Sequence, residues 1–152
     1  MDFFLAAGGG FLVAVLWMDL MFDVLALRER SAEKALAEED LLPITTYYHR
    51  VTTTAWPMNQ LIGVVMAAMV LCLLAQFTRG DGSAVRAVGS LLLCGVPITV
   101  GLARVFPNAI RLGARSDSYL EQSRLARLIC WDHLCCVTAM VAFLALRGLG
   151  GR

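Results

Sequence analysis

Charge is what this sequence has least of. Asp, Glu, Lys and Arg make up 16% of the 152 residues, where ordinary soluble domains carry roughly 25%. The 13 basic and 12 acidic residues leave a net charge of +1. That balance offers no basic face for a polyanion, so nucleic acid is excluded as a partner. Histidine occurs only twice, with no H-x-x-H, E-x-x-H or H-E-x-x-H spacing. His49 and His133 with Asp19, Asp23 and Asp132 are suitable donor types for zinc or non-haem iron. Without a ligand spacing, no metal site and no cofactor is expected. The five cysteines contain no C-x-x-C, which argues against a disulfide-exchange enzyme and for buried free thiols used in packing. There is no lipidation motif and no convincing internal repeat.

What the chain has instead is apolar length. Hydrophobic residues make up 59%, and the mean hydropathy is +0.69. A membrane-spanning helix needs about 20 mostly apolar residues. Four stretches qualify, giving helices over about 3–27, 43–77, 85–106 and 118–147 in a single domain covering 1–152. They are too long and too uniformly apolar for barrel strands. The expected fold is all-α, an integral membrane up-and-down four-helix bundle. The first stretch follows Asp2 rather than a basic residue and has no A-x-A-like end, so it reads as a retained helix and not a signal peptide. Pro57 and Pro97 are expected to bend the second and third helices. The run Ala6, Ala7, Gly8, Gly9, Gly10 would let another helix approach closely.

Orientation follows from the basic residues. Nine of the 13 fall in or beside the first and third loops: Arg28, Arg30, Lys34, Arg50, Arg104, Arg111, Arg115, Arg124 and Arg127. This places those loops in the cytoplasm and both termini outside, in what is expected to be a bacterial inner membrane.

Most polar residues gather in the cytoplasmic half. Asp19 and Asp23 close the first helix at i, i+4, on one side of it. Thr45, Tyr47, Tyr48, His49, Arg50 and the run Thr52–Thr54 open the second. Arg104, Asn108 and Arg111 follow the third. Arg124, Arg127, Asp132 and His133 open the fourth. Ionisable groups at membrane depth usually face the bundle interior and mark a functional site. The bland account is a set of interhelical ion pairs, Asp19 or Asp23 with Arg104 or Arg127, and Glu121 with Arg124 on the surface. The functional account is a polar pocket doing acid–base chemistry, with Asp19 or Asp23 partnering His133. Adjacent Asp132 and His133 point about 100° apart on a helix, the angle per residue of a 3.6-residue turn. The aromatics Trp17, Tyr47, Tyr48, Trp56, Tyr119 and Trp131 fit an interfacial belt, or walls for a flat aromatic ligand.

The segment VFPNAIRLGA, followed by LICWDHLCCVTAMVAFLAL, resembles the second half of the anthrone-oxygenase-like small membrane proteins. Pro107, Trp131 and His133 match that family's pattern, and Asn108 matches it one residue displaced. Asp132 stands where Asn is usual, and Cys135 where Arg is usual. The resemblance implies a four-helix bundle and cofactor-independent, oxygen-dependent conversion of an anthrone to an anthraquinone. It also implies His133 beside the substrate, Trp131 as a wall and Asn108 as a hydrogen-bonding partner. The resulting expectation has His133 as base and Asp19 or Asp132 orienting it. Asn59, Asn108 and Arg111 would steady the developing oxyanion, with Trp131 and His49 contacting a lipid-soluble aromatic substrate. The alternative is a non-catalytic accessory or assembly subunit on a membrane-protein partner, or a homo-oligomer, with membrane lipids around it in either case.

Overall fold

A computed structural model of the chain describes residues 1–29, 31, 33–80 and 83–149. Every regular element among them is helical. Six α-helices follow in order: α1 (Asp2–Asp23), α2 (Glu38–Thr53), α3 (Trp56–Arg79), α4 (Ala84–Val100), α5 (Phe106–Ala114) and α6 (Tyr119–Leu149). A 3-10 turn, Val24–Leu27, extends α1, and a π-helical turn, Gly101–Val105, joins α4 to α5. Four continuous segments are long and apolar enough to cross a membrane: Asp2–Leu27, Trp56–Arg79, Ala84–Ala114 and Tyr119–Gly148.

The second expected helix is two helices. α2 begins a turn before Pro43, where Glu38, Glu39 and Asp40 suit the positive end of the helix dipole. It ends at Thr53 because the local chemistry competes with the helix. The hydroxyls of Thr52, Thr53 and Thr54 donate back to the carbonyls of Tyr48, His49 and Arg50. Pro57 cannot donate from its nitrogen and sits in the first turn of α3. Asn59 Nδ2 donates to the Val51 carbonyl at 2.8 Å, satisfying an acceptor at the break. Pro57 therefore starts a helix where a bend was expected.

The third expected helix continues past 106. Pro97 removes one donor inside α4, and Pro107 removes another in the first turn of α5. The helix between them widens to the π-helical turn and continues to Ala114. Arg115, in the left-handed conformation at φ 52°, ends it. α6 starts after Ser118, whose Oγ accepts the Glu121 N–H at 3.3 Å as an N-cap.

α6 is the central helix and α3 the peripheral one. Of the most apolar window of each, 39% is buried for α6 and 11% for α3. Gly8 and Gly9 let α1 lie close to its neighbours. A Cβ on Gly8 would fall 2.8 Å from the Met69 sulfur, and one on Gly9 would fall 2.8 Å from a Leu144 methyl. Of the small-residue run, Gly8 and Gly9 are thus used within the chain, while Ala6, Ala7 and Gly10 are exposed. Two apolar clusters fill the interior. One gathers Leu5, Met69, Leu73, Cys94, Met140 and Phe143; the other gathers Leu41, Ile44, Tyr48, Leu112 and Ile129. Large apolar side chains also cover the outside, including Phe3, Val64, Leu71 and Leu92. The segment between α1 and α2 is tied down by Leu36 N–H to Ser123 Oγ at 2.9 Å and by Arg28 to Asp40 at 2.7 Å.

Asp2 at the start of α1 pairs with Arg147 near the end of α6 and accepts from Gln76 near the end of α3. The start of α1 therefore lies beside the ends of α3 and α6.

Candidate functional site

The last turns of α1 carry two carboxylates one helical turn apart, so both face the same neighbour. That neighbour is His133 on α6. Its Nδ1 lies 2.6 Å from Asp23 Oδ2, and its Nε2 lies 3.8 Å from Asp19 Oδ2. α2 supplies two phenols to the same carboxylates. Tyr48 Oη donates to Asp23 Oδ1 at 2.7 Å, and Tyr47 Oη donates to Asp19 Oδ1 at 2.5 Å. Tyr47 is held in place by stacking on Phe22, with ring centroids 4.2 Å apart. The result is a continuous chain of polar contacts, Tyr47–Asp19–His133–Asp23–Tyr48, drawn from three helices.

Burial grades along this chain. Asp23 is fully buried, Tyr48 and His133 nearly so, and the Asp19 side chain is 16% exposed. Burial, reinforced by the negative charges of Asp19 and Asp23, holds both phenols protonated well above the ordinary tyrosine range. They are therefore donors to the carboxylates. Asp23, accepting from Tyr48, has its second oxygen free to accept the imidazole Nδ1–H. This pattern turns the Nδ1–H to Asp23 and leaves Nε2 facing Asp19 and the cavity.

That side opens on a cavity of about 340 Å³, within the size range of small-molecule sites. Leu12, Leu16, Ile62, Met66, Ile98, Val105 and Met140 make most of its wall. Its polar lining comes from Asp19, Tyr48, Thr52, Asn59 and His133. Asp23 stays behind the imidazole, outside the lining. Thr52 and one Asn59 N–H are spent on backbone carbonyls. The second Asn59 N–H remains for a ligand.

The other expected site residues lie elsewhere. Asp132 is directed at Arg104, 3.2 Å away, and not at the imidazole. The ring's partner is Asp23. The other oxygen of Asp132, Oδ2, is buried without a protein partner. Arg111 pairs with Asp117 at 3.2 Å and Glu121 at 3.6 Å, half exposed and away from the cavity. Asn108 is half-buried outside the cavity lining. Trp131 is 59% exposed, and His49 is exposed on α2; neither borders the cavity. Of the aromatic residues, Tyr48 and Phe106 line it. The expected pairing of Glu121 with Arg124 is present at 3.7 Å. Arg104 takes Asp132 in place of Asp19 or Asp23. Arg127 reaches the Lys34 carbonyl at 2.6 Å.

The cysteines are free. Cys94, Cys130 and Cys136 are buried, whereas Cys135 is exposed. Among the described residues, no three His, Cys, Asp or Glu side chains are grouped so as to hold a metal ion. Reasoning from sequence missed Tyr47 and Tyr48 as site members. The available signal was their place on the turn preceding the threonine-rich break, which sets α2 across the end of α1. Compared with known protein families, with curated proteins and with solved structures, the chain matches none.

Proposed function

We propose that this protein is an integral membrane protein that draws an apolar aromatic molecule into the helix bundle and deprotonates it with His133. In this reading the chain is an up-and-down bundle in a bacterial inner membrane. The basic first and third loops are cytoplasmic, and the outward apolar faces meet lipid. One observation carries the chemical part. A buried carboxylate, itself held by Tyr48, fixes the imidazole through Nδ1, so that Nε2 faces Asp19 and an apolar cavity. Orienting a histidine by a buried carboxylate is how general bases are prepared.

The reaction best suited to such a base is cofactor-independent oxygenation, as the resemblance of helices α5 and α6 to the anthrone-oxygenase-like proteins implies. His133 Nε2 takes a proton from an activated methylene carbon. The carbanion, delocalised as an enolate, is oxidised by dioxygen. Overall, one CH2 and one O2 become one C=O and one H2O. The second Asn59 N–H is the cavity's remaining amide donor for the enolate oxygen. An accessory or assembly subunit is the second reading: Gly8 and Gly9 pack on Met69, Phe143 and Leu144 of the same chain, whereas Ala6, Ala7 and Gly10 stay exposed.

The test is oxygen-dependent turnover of an anthrone by the purified protein in detergent. His133→Ala is expected to lower it by about 100-fold or more, the usual contribution of a general base; because the change also takes a donor from buried Asp23, turnover is compared at equal amounts of folded protein. Equal turnover in His133→Ala would sink the reading.

A further inference from the structure

The cavity is walled unequally. Its polar end is stoppered by buried Asp23, Tyr48 and His133. On its outer side the helices do not approach closely through their backbones. Among the described residues, α3 packs on α1, α2 and α4, yet no Cα of α3 comes within 8 Å of one in α5, α6 or the π-helical turn. Glycines flank this gap. A Cβ built on Gly63 would meet no atom within 4 Å, and one on Gly101 would meet only Met66 Cε, at 3.8 Å. The lips are apolar and face outward: Leu102 is 63% exposed and Phe106 49%, and both border the cavity.

The sequence explains the gap. Pro97 and Pro107 bracket the π-helical turn, and a π-turn is a local widening that often sits at functional sites. Across from it, the break after Thr53 restarts the chain as α3 on a new axis. Gly63 lies seven residues beyond Trp56, about 10 Å along the helix at 1.5 Å per residue. Trp56 is exposed at the start of α3, where an interfacial tryptophan belongs. The gap then falls inside the hydrocarbon layer and below the headgroups.

We propose that the gap between α3 and the π-helical turn is a lateral portal. Through it an uncharged, lipid-dissolved molecule passes between bilayer and cavity without crossing water. A charged molecule would have to shed its hydration against the apolar lips Leu102 and Phe106, whereas an apolar one exchanges one hydrocarbon surface for another. The inference rests on the reading that the chain spans a bilayer and holds an apolar ligand, and does not depend on turnover.

The test uses the full chain in phosphatidylcholine vesicles, with anthracene as the fluorescent probe. Bound probe is read as a saturable component of raised anisotropy, and exchange rates by mixing with protein-free vesicles. Gly63→Trp fills the gap from the α3 side. It is expected to slow both association and dissociation by about tenfold, equivalent to a barrier about 1.4 kcal/mol higher. Leu102→Ala trims a lip and is expected to speed both. Gly10→Trp, at an open α1 position outside the cavity lining, is expected to leave both unchanged.

Rates insensitive to both Gly63→Trp and Leu102→Ala would overturn the portal. So would the absence of saturable anthracene in the unmodified protein. Loss of binding in Gly63→Trp with unchanged rates in Leu102→Ala would also overturn it, making Gly63 part of the binding space only. A change of oligomeric state in Gly63→Trp with unchanged rates would assign the gap to a second copy and overturn it as well. Turnover is measured apart from exchange. Saturable exchange with both variant effects but no turnover would sink the base reading and leave the portal standing; turnover with variant-insensitive exchange would do the reverse.

Discussion

At one end of the bundle Asp2 pairs with Arg147 and accepts from Gln76, with 81% of its side chain exposed. At the other end Asp23 accepts from His133 and Tyr48, with none of its side chain exposed. Both aspartates join α1 to α6. They differ in what surrounds them. Asp2 can exchange its partners for water, whereas Asp23 cannot. The buried aspartate must therefore be satisfied completely, and it is: each oxygen of Asp23 has one donor. A group that must be satisfied is also a group whose geometry is fixed, and this is what fits the His133 end for chemistry. The Asp2 end is a closing contact.

The largest test of this contrast is Asp23→Ala. It leaves the Tyr48 hydroxyl and the imidazole Nδ1–H buried without an acceptor. Breaking one member out of a buried, charge-bearing network typically costs about 3–5 kcal/mol. Thermal unfolding in detergent is expected to show a large fall in midpoint, or loss of folded protein on purification. Asp23→Asn keeps the shape but turns one acceptor into a donor, and should fall between Asp23→Ala and the unmodified protein. A melting curve unchanged by Asp23→Ala would mean that the network is ornamental.

Backbone spacing divides the two halves in the same way. A Cβ on Gly113 would lie 2.8 Å from the His49 nitrogen and 2.9 Å from the Tyr48 carbonyl carbon, both main-chain atoms that cannot rotate away. Gly113→Ala must push α2 off α5, at about 1–3 kcal/mol for overpacking, and should loosen the two tyrosines. Gly10 in the Asp2 half faces open space. Gly10→Ala is expected to stabilise, by about 1 kcal/mol at most, through helix propensity. Opposite signs at these two glycines, read from melting midpoints, would sharpen the comparison; equal signs would break it.

The tyrosines give a smaller, pH-dependent effect. The folded state holds the Tyr47 and Tyr48 protons more tightly than the unfolded chain does, because of burial and the adjacent carboxylates. The stabilisation they bring is complete below the ordinary phenol range and is lost as pH rises toward the folded-state values. Phenolate absorbance should therefore appear at higher pH in native than in denatured protein. Tyr48→Phe should remove one of the late-titrating components and cost about 1–3 kcal/mol, since it takes a donor from a buried carboxylate. Tyr47→Phe should cost less, because Asp19 retains access to the cavity.

Much of this arrangement was legible in the sequence, and the failures have physical reasons. Helix length and apolarity gave the four long segments directly. The i, i+4 spacing of Asp19 and Asp23 placed both on one side of α1, and depth pointed to His133 together with Asp19 and Asp132. Choosing between Asp23 and Asp132 as the ring's partner needed the rotation of α6 about its axis, which no local pattern encodes. The resemblance implies Asn108 beside the substrate, and Arg111 is expected there as an oxyanion donor, with the third helix expected to end at about 106. The π-helical turn carries it to Ala114 instead. Asn108 then falls outside the cavity lining, and Arg111 turns to the acids at the start of α6. Tyr47 and Tyr48 resembled interfacial aromatics until the break at Thr54 and Ala55 separated α2 from α3 and laid it against α1.

The smallest expected effect is at the other aspartate. Asp2→Asn keeps an acceptor for Gln76 and removes one charge from an exposed pair, so stability should change by about 0.5 kcal/mol or less. The Arg147 side chain is only 11% exposed, and its methylenes can stay packed while the guanidinium turns to solvent. Arg147→Ala should therefore cost more than Asp2→Asn, through lost packing and not lost charge. If Asp2→Asn instead approached the cost of Asp23→Asn, the exposed face at this end would have to be covered by something of low polarity. The difference between the two ends would then lie in the number of donors each aspartate receives and no longer in access to water.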